Sequence, residues 1–434
     1  MTNPKMLMKQ LVRPLFAFIL LVASSLFSTS LFALSTADED YYRVLMLSGA
    51  DIQPIVGKKI NDISLFAVFE GELEPIPYQI DEYNQSGAVY FDHWDEPLEG
   101  VRGVMDASDQ LLFLFGDSGQ RKTESMFLDG NILAEVELTT TKGQHRYVYV
   151  VEGSRLRSDA QHVRYSVAES RVETDFFTML FDKENQLIWR DFKYADYEGE
   201  SPIDGLKINF TAGVLAEAME MSFNNEHFIA KTVGENVGSI RTTTQLHFTF
   251  KYWGIEIVDA SIQVHFYPNA MIYDVRLIIP ETRRSLLKRP SMSLSVDFNG
   301  LQGAQMNADF LPAPLVVDGV LSDAELNAQN MPITKDKNGL LLNSRKGFDV
   351  LTFLDWTGAA ELPTTFYYQE HSEYKGELDR FKGQYPDAGY KVIEFPDKGL
   401  FAFVASVYFS DSFEGSPREL SNYVRTSPSV KVNY

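Results

Sequence analysis

Residues 245–252 read Gln245-Leu246-His247-Phe248-Thr249-Phe250-Lys251-Tyr252. Leu246, Phe248, Phe250 and Tyr252 fall on one side, and Gln245, His247, Thr249 and Lys251 on the other. A period of two predicts a half-buried β-strand. Trp253-Gly254 interrupts the pattern. Ile262, Val264 and Phe266 then alternate with Ser261, Gln263, His265 and Tyr267, and Pro268-Asn269-Ala270 reads as a turn. Tyr273, Val275, Leu277 and Ile279 alternate with Asp274 and Arg276 until Pro280 ends the run. Three long antiparallel strands within residues 239–280 decide the fold.

Their faces constrain how they pair, because a one-residue slip would bury the polar set. The expected first hairpin sets His247 opposite His265. A four-residue loop, 268–271, in the second sets His265 opposite Asp274 and Gln263 opposite Arg276. The result is a polar row of His247, His265 and Asp274, with Lys251, Tyr267 and Arg276 nearby. In it Asp274 would favour the charged form of His265. The same residues also suit the solvated face of an antiparallel sheet. A site there requires a second layer or a loop over that face.

The chain begins with a basic segment, Lys5, Lys9 and Arg13, followed by an apolar run from Leu15 to Leu34. Ser35-Thr36-Ala37 supplies a small-x-small cleavage site before Asp38-Glu39-Asp40, and Ala33 is an alternative end. Residues 1–37 therefore read as a signal peptide, although the run is near the lower length of an uncleaved membrane anchor. No later stretch reads as a membrane span. The 434 residues contain no cysteine, which excludes disulfides, thiolate metal sites and thiol catalysis. An exported chain of this size without disulfides is expected in a bacterial periplasm, or secreted. Cleavage after Ala37 leaves 36 basic residues against 60 acidic ones, a net charge of −24. This argues against nucleic acid and against charge-driven binding to an anionic membrane.

Residues 38–155 read as a small antiparallel sandwich. It runs from a first strand at Tyr41–Gly49, through the buried run Gln110–Phe115, to a closing hairpin around Thr141-Lys142-Gly143. Asp106, Asp109 and Asp117 are candidate calcium ligands, but their spacing does not fit an EF-hand loop and Asp beside Ser or Gly is turn chemistry. No cofactor is implied, and no metal site is assigned. Residues 156–434 form the larger unit. Within it Val214 to Met221 reads as a short helix, and Ser322-Asp323-Ala324-Glu325 as a capping box. Residues 363–398, polar and rich in tyrosine, read as a lid or a solvated loop.

A Gly-x-Ser-x-Gly elbow, a His-Glu-x-x-His helix, a phosphate loop and a dinucleotide fingerprint are all missing from the sequence. Carboxylate pairs for glycoside chemistry cannot be read from spacing in sequence alone.

Two patterns carry a family resemblance. Ile76-Pro77-Tyr78-Gln79-Ile80-Asp81, followed by Asp106-x-x-Asp109-Gln110-Leu111-Leu112-Phe113, resembles the N-terminal module of exported bacterial exo-rhamnogalacturonan-lyase-like proteins. Gly238-Ser239-Ile240-Arg241 before the long strands resembles the start of their galactose-mutarotase-like supersandwich. The resemblance implies an all-β fold, an immunoglobulin-like N-terminal sandwich followed by an antiparallel supersandwich. It also implies action on poly- or oligosaccharide, with lyase chemistry at uronates. That reaction needs a base, an acid and a cation for the carboxylate. The candidates are His247 or His265 as base, Tyr267 as acid with Asp274 in the row, and Arg241 or Arg276 for the carboxylate. Tyr368 and His371 are expected from a loop above the sheet. The alternative is a non-enzymatic periplasmic protein that binds carbohydrate or serves envelope export or assembly.

Overall fold

The three central strands form, at Thr242–Tyr252, Ile255–Tyr267 and Ala270–Ile279. Their register differs from expectation. His265 pairs with Thr243 and Ile272, His247 with Ser261, and Asp274 with Gln263, so the His247–His265–Asp274 row does not exist. Tyr267 pairs directly with Ala270, so the turn is the two residues Pro268-Asn269 rather than 268–271. An even slip returns every side chain to its own face. The alternation therefore fixes the faces and leaves the register open.

The chain is described here from a computed structural model covering residues 42–434. The exceptions are 93–95, 141, 195–196, 215–218, 253–254, 280–286, 358–360, 377–378 and 396–398. Residues 1–37, with the expected signal peptide and its cleavage site, lie outside the described part. Among the described residues the fold is all-β, with every strand pair antiparallel.

The central strands belong to a nine-stranded sheet. Phe228–Val237 flanks them on one side, and Gly399–Ser410, Asp349–Trp356, Leu340–Asn343, Gln305–Ala308 and Leu315–Val316 follow on the other. A six-stranded sheet runs Met219–Phe223, Ile203–Val214, Lys288–Phe298, Gln384–Val392, Thr364–His371 and Pro332–Ile333. The two share one core: Leu206, Val296, Phe366 and Tyr390 from the smaller sheet meet Leu246, Ile262, Phe266 and Val350 from the larger. Each large apolar side chain fully withdrawn from water there contributes roughly 1.5–3 kcal/mol. A four-stranded sheet, from Val163–Ser166 to Trp189–Tyr194, adds Phe177, Phe192 and Trp189 to the same core.

Two further sheets make the N-terminal sandwich. Val44–Ser48, Gln110–Leu114 and Gln79–Asp81 form one; Ile63–Phe69, Glu72–Pro75, Asn131–Thr139 and His145–Glu152 form most of the other. Leu45, Leu65, Phe113, Val136 and Val150 fill the space between them. The last strand of the chain, Ser429–Asn433, pairs with Asn131–Thr139 and completes this sheet.

Two local expectations fail. Val214 and Met219 are strand residues paired directly with each other, so 214–221 is a hairpin and not a helix; the connecting 215–218 lie outside the described residues. Phe210 pairs with Phe223 and their rings stack 6.4 Å apart, whereas a short helix alone is marginal in water. Within 363–398, Thr364–His371 and Gln384–Val392 are core strands rather than lid or loop. The capping box forms as read. Ser322 accepts from the Glu325 amide at 3.3 Å, and the Glu325 carboxylate accepts from the Ser322 amide at 2.7 Å. It starts helix α1, Asp323–Ala328. A second box, Ser416 with Glu419, starts α2, Pro417–Arg425.

Candidate functional site

The polar face of the central strands is partly covered, and the cover takes up Gln263 and Arg276. Residues 83–91 of the N-terminal module lie on it. Gln263 accepts from the Val89 amide at 3.1 Å and donates to the Val89 carbonyl at 2.9 Å. Arg276 donates to the Ser86 carbonyl at 3.1 Å and to Asp274 at 3.1 Å. Asp274 therefore serves Arg276, not His265. His265 Nδ1 sits 2.9 Å from the Thr243 hydroxyl. Burial, with the charges of Arg241 and Arg276 behind it, pushes its pKa well below the ordinary value. The carboxylate expected to favour a charged His265 is engaged elsewhere, with Asp274 opposite Gln263 and bonded to Arg276. His247 is half-buried opposite Ser261 on one side and Lys231 on the other.

Tyr368 and His371 do not join this face. Tyr368 is fully buried in the sandwich core and donates to Glu370 at 2.8 Å. His371 is exposed at the end of its strand, where Nδ1 accepts from the Glu373 amide at 3.1 Å. The three acidic turn residues each hold partners within the protein, although Asp106 Oδ2 is buried without one. Asp106 and Asp109 cap backbone amides of their own turn and of Tyr83. Asp117 holds His162.

The two sequence patterns behind the family resemblance meet in one clasp. Gln79 Oε1 accepts from the amides of Ile240, at 3.2 Å, and Arg241, at 2.9 Å. Ser239 Oγ donates to the Tyr78 carbonyl at 2.9 Å. The Arg241 guanidinium is 2% exposed and is paired with the buried Asp81 carboxylate and with the Tyr267 hydroxyl at 3.0 Å. Gly238 is required by close approach: a Cβ there would lie 1.9 Å from Gln79 Oε1. Arg241 is therefore a docking residue between the module and the central sheet.

Tyr267 carries that clasp to a pocket. Next to it, Tyr42, Tyr408 and Tyr423, with Arg43 and Arg425, enclose a cavity of about 180 Å³. The rings are braced from behind. Tyr42 packs edge-on against Phe176 at 4.3 Å, and Tyr408 stacks on Phe353 at 5.7 Å. The Arg43 guanidinium lies 3.8 Å over Tyr423 and donates to the Thr426 carbonyl at 2.7 Å. Arg425 donates to Asp355 at 2.7 Å. The wall has two arginines and, among its described residues, no carboxylate or histidine, in a chain of net charge −21. Tyrosine offers an apolar face and a polar tip at little rotamer cost. Such a wall suits a ligand that is apolar on its faces and hydroxylated at its rim. The chain order hides this grouping: Tyr42, Tyr267, Tyr408 and Tyr423 come from four distant segments.

A second cluster lies on the outer face of the six-stranded sheet. Lys207 Nζ is 2.5 Å from Asp297 and 2.8 Å from Asp379. Asp387 pairs directly across from Asp297, and Arg380 holds Asp204 at 3.3 Å. Burial raises the Asp297 and Asp387 pKa values, and for Asp297 the charge of Asp387 adds to it. Such buried carboxyls hold their protons to higher pH than exposed ones do. Oxygens of Asp204, Asp297 and Asp379 lie within 4.8 Å of one another, close enough for a cation. The Lys207 ammonium already stands between two of them. With Asp297 0% and Asp387 1% exposed, the cluster clamps the segment around Asp379 and Arg380 onto the sheet.

No family model and no curated protein matches the sequence. Among solved structures, the chain is similar to an α-mannosidase from Enterococcus faecalis V583, with TM-score 0.46 and 10% identity over 91% of this chain and 45% of that one. A glycosyl hydrolase family 38 protein from Enterococcus faecalis gives TM-score 0.46 and 8% identity over 91% and 46%. The protein HI1317 gives TM-score 0.31 and 7% identity over 59% and 98%. The chain spans less than half the length of the first two.

Proposed function

We propose that this is an exported, periplasmic saccharide-binding protein that takes an acidic sugar residue between Tyr42, Tyr267, Tyr408 and Tyr423. The pocket wall carries the reading. Four braced tyrosines provide stacking faces and hydroxyls, and Arg43 places a guanidinium in the wall for a carboxylate, beside an Arg425 whose charge is shared with Asp355. Bracing matters because a preformed wall leaves less side-chain freedom to lose on binding. Titration calorimetry with uronate-containing and neutral oligosaccharides tests it. Binding of the acidic series that falls at least tenfold in Tyr423→Ala supports it; equal binding of both series, or none, contradicts it.

Cleavage of the bound chain is the second reading, and Tyr267 favours it. Its hydroxyl accepts from Arg241 at 3.0 Å while its ring lines the pocket, the placement of a fixed acid for uronate elimination. Ultraviolet absorbance of an unsaturated uronate, lost in Tyr267→Phe, is the corresponding assay.

A further inference from the structure

A second cavity lies inside the supersandwich, between the inner faces of the two large sheets. Its volume is about 120 Å³. On the nine-stranded sheet it touches five adjacent strands, through Phe248, Ile262, Val275, Phe403 and Trp356. On the six-stranded sheet it touches three, around Leu206, Leu294 and Ala388. It is an interior slot between the two sheets, bounded by side chains from both.

The slot comes from residue choice. Ala260, Ala388 and Ala405 sit among Phe, Leu, Val and Trp at its walls, where larger side chains would close it. Ala260 is 8% exposed and Phe403 7%, although both lie mid-sheet, while Phe266 and Phe366 deeper in the same core are 0% and 1%. Sandwich interiors otherwise pack to crystal density, and an unfilled apolar space forfeits contacts along its whole lining. The walls carry no charged side chain among the described residues, so a charged group would enter at a large desolvation cost.

We infer that the slot is a binding site for one alkyl chain of an amphiphile. Its uncharged lining of aliphatic and aromatic side chains suits an alkyl chain and would leave the hydroxyls of a sugar largely unpartnered. This site is separate from the tyrosine pocket, with no lining residue in common, and stands whether or not that pocket binds saccharide.

Trp189 and Trp356 line the slot and serve as reporters. The experiment titrates the full chain with cis-parinaric acid, exciting tryptophan and reading transferred emission, then displaces the probe with dodecanoic acid. Expected are saturable one-to-one binding and displacement. In Ala405→Leu, affinity drops at least tenfold while the unfolding midpoint is unchanged or raised. Trp189→Phe/Trp356→Phe should bind the probe with most of the transfer lost, which keeps the test informative if the filled variant does not fold. No saturable binding, undiminished affinity in a folded Ala405→Leu chain, or undiminished transfer in the double variant would overturn the assignment.

Discussion

Arg241 Nε donates to Asp81 Oδ2 at 3.0 Å, joining residues 160 positions apart across the boundary between the small sandwich and the central sheet. Both are buried, and the Tyr83 and Tyr267 hydroxyls complete the guanidinium's shell. This pair sets how the module sits, and so fixes Tyr267 in the pocket wall.

Breaking the pair leaves a charge stranded out of water. Arg241→Met is expected to lower unfolding free energy by about 3–5 kcal/mol. Urea denaturation measures it. The double variant Arg241→Met/Asp81→Leu should lose less than the sum of the two single changes, because no orphaned charge remains.

Gly238→Ala places a methyl group against Gln79. The variant is expected to displace the Gln79 side chain and release the Ile240 and Arg241 amides, costing about 1–3 kcal/mol for the buried groups left unmet. In a Gln79→Ala background the same change should cost much less. Equal costs in both backgrounds would mean that Gln79 is not what Gly238 accommodates.

His162 ties the N-terminal sandwich to the larger unit, with Nε2 3.0 Å from Asp117 and Nδ1 2.6 Å from Asp175. Burial alone would lower its pKa, but the two carboxylates raise it to about 9 from 6.5. A raised folded-state pKa stabilises fully below about pH 6.5 and ceases to contribute as pH climbs through about 9. Wild-type thermal stability should therefore fall across that window by up to about 3 kcal/mol. His162→Gln should show a flatter profile.

Lys207 is the central cation of the outer-face cluster. Lys207→Met leaves Asp297, Asp379 and Asp387 without it. Burial already raises the Asp297 and Asp387 carboxyls, and the change should raise them further. Because the folded state then holds protons the unfolded state releases, the variant should be least stable at neutral pH and recover on acidification. Unfolding midpoints between pH 4 and 8 read the sign directly. A uniform loss at all pH values would show that packing, not charge, is what Lys207 supplies.

Much of this architecture was legible in the sequence, and the losses share a cause. Alternation at 245–252 and 261–279 set the strands and their faces. It left the register open, because even slips are invisible to a period of two. The Val214–Met221 hairpin was hidden by its four-residue connection, whose small and apolar residues also satisfy a helix. Thr364–His371 alternates too, with Phe366, Tyr368 and Glu370 inward. The buried Glu370, met by the amides of Asp318 and Gly319, disguises the strand as solvated chain. Gln79, Asp81, Gly238 and Arg241 stood out as patterns, but only three-dimensional pairing shows that they hold one another. The tyrosine pocket had no local signal at all.

The most direct test of the central claim is calorimetric titration of the purified chain with a uronate oligosaccharide, for wild type and Tyr423→Ala. Saccharide binding at the tyrosine pocket predicts a saturable heat in wild type and at least a tenfold weaker one in the variant, with the fold intact. No heat in wild type, or the same affinity in both, would contradict it.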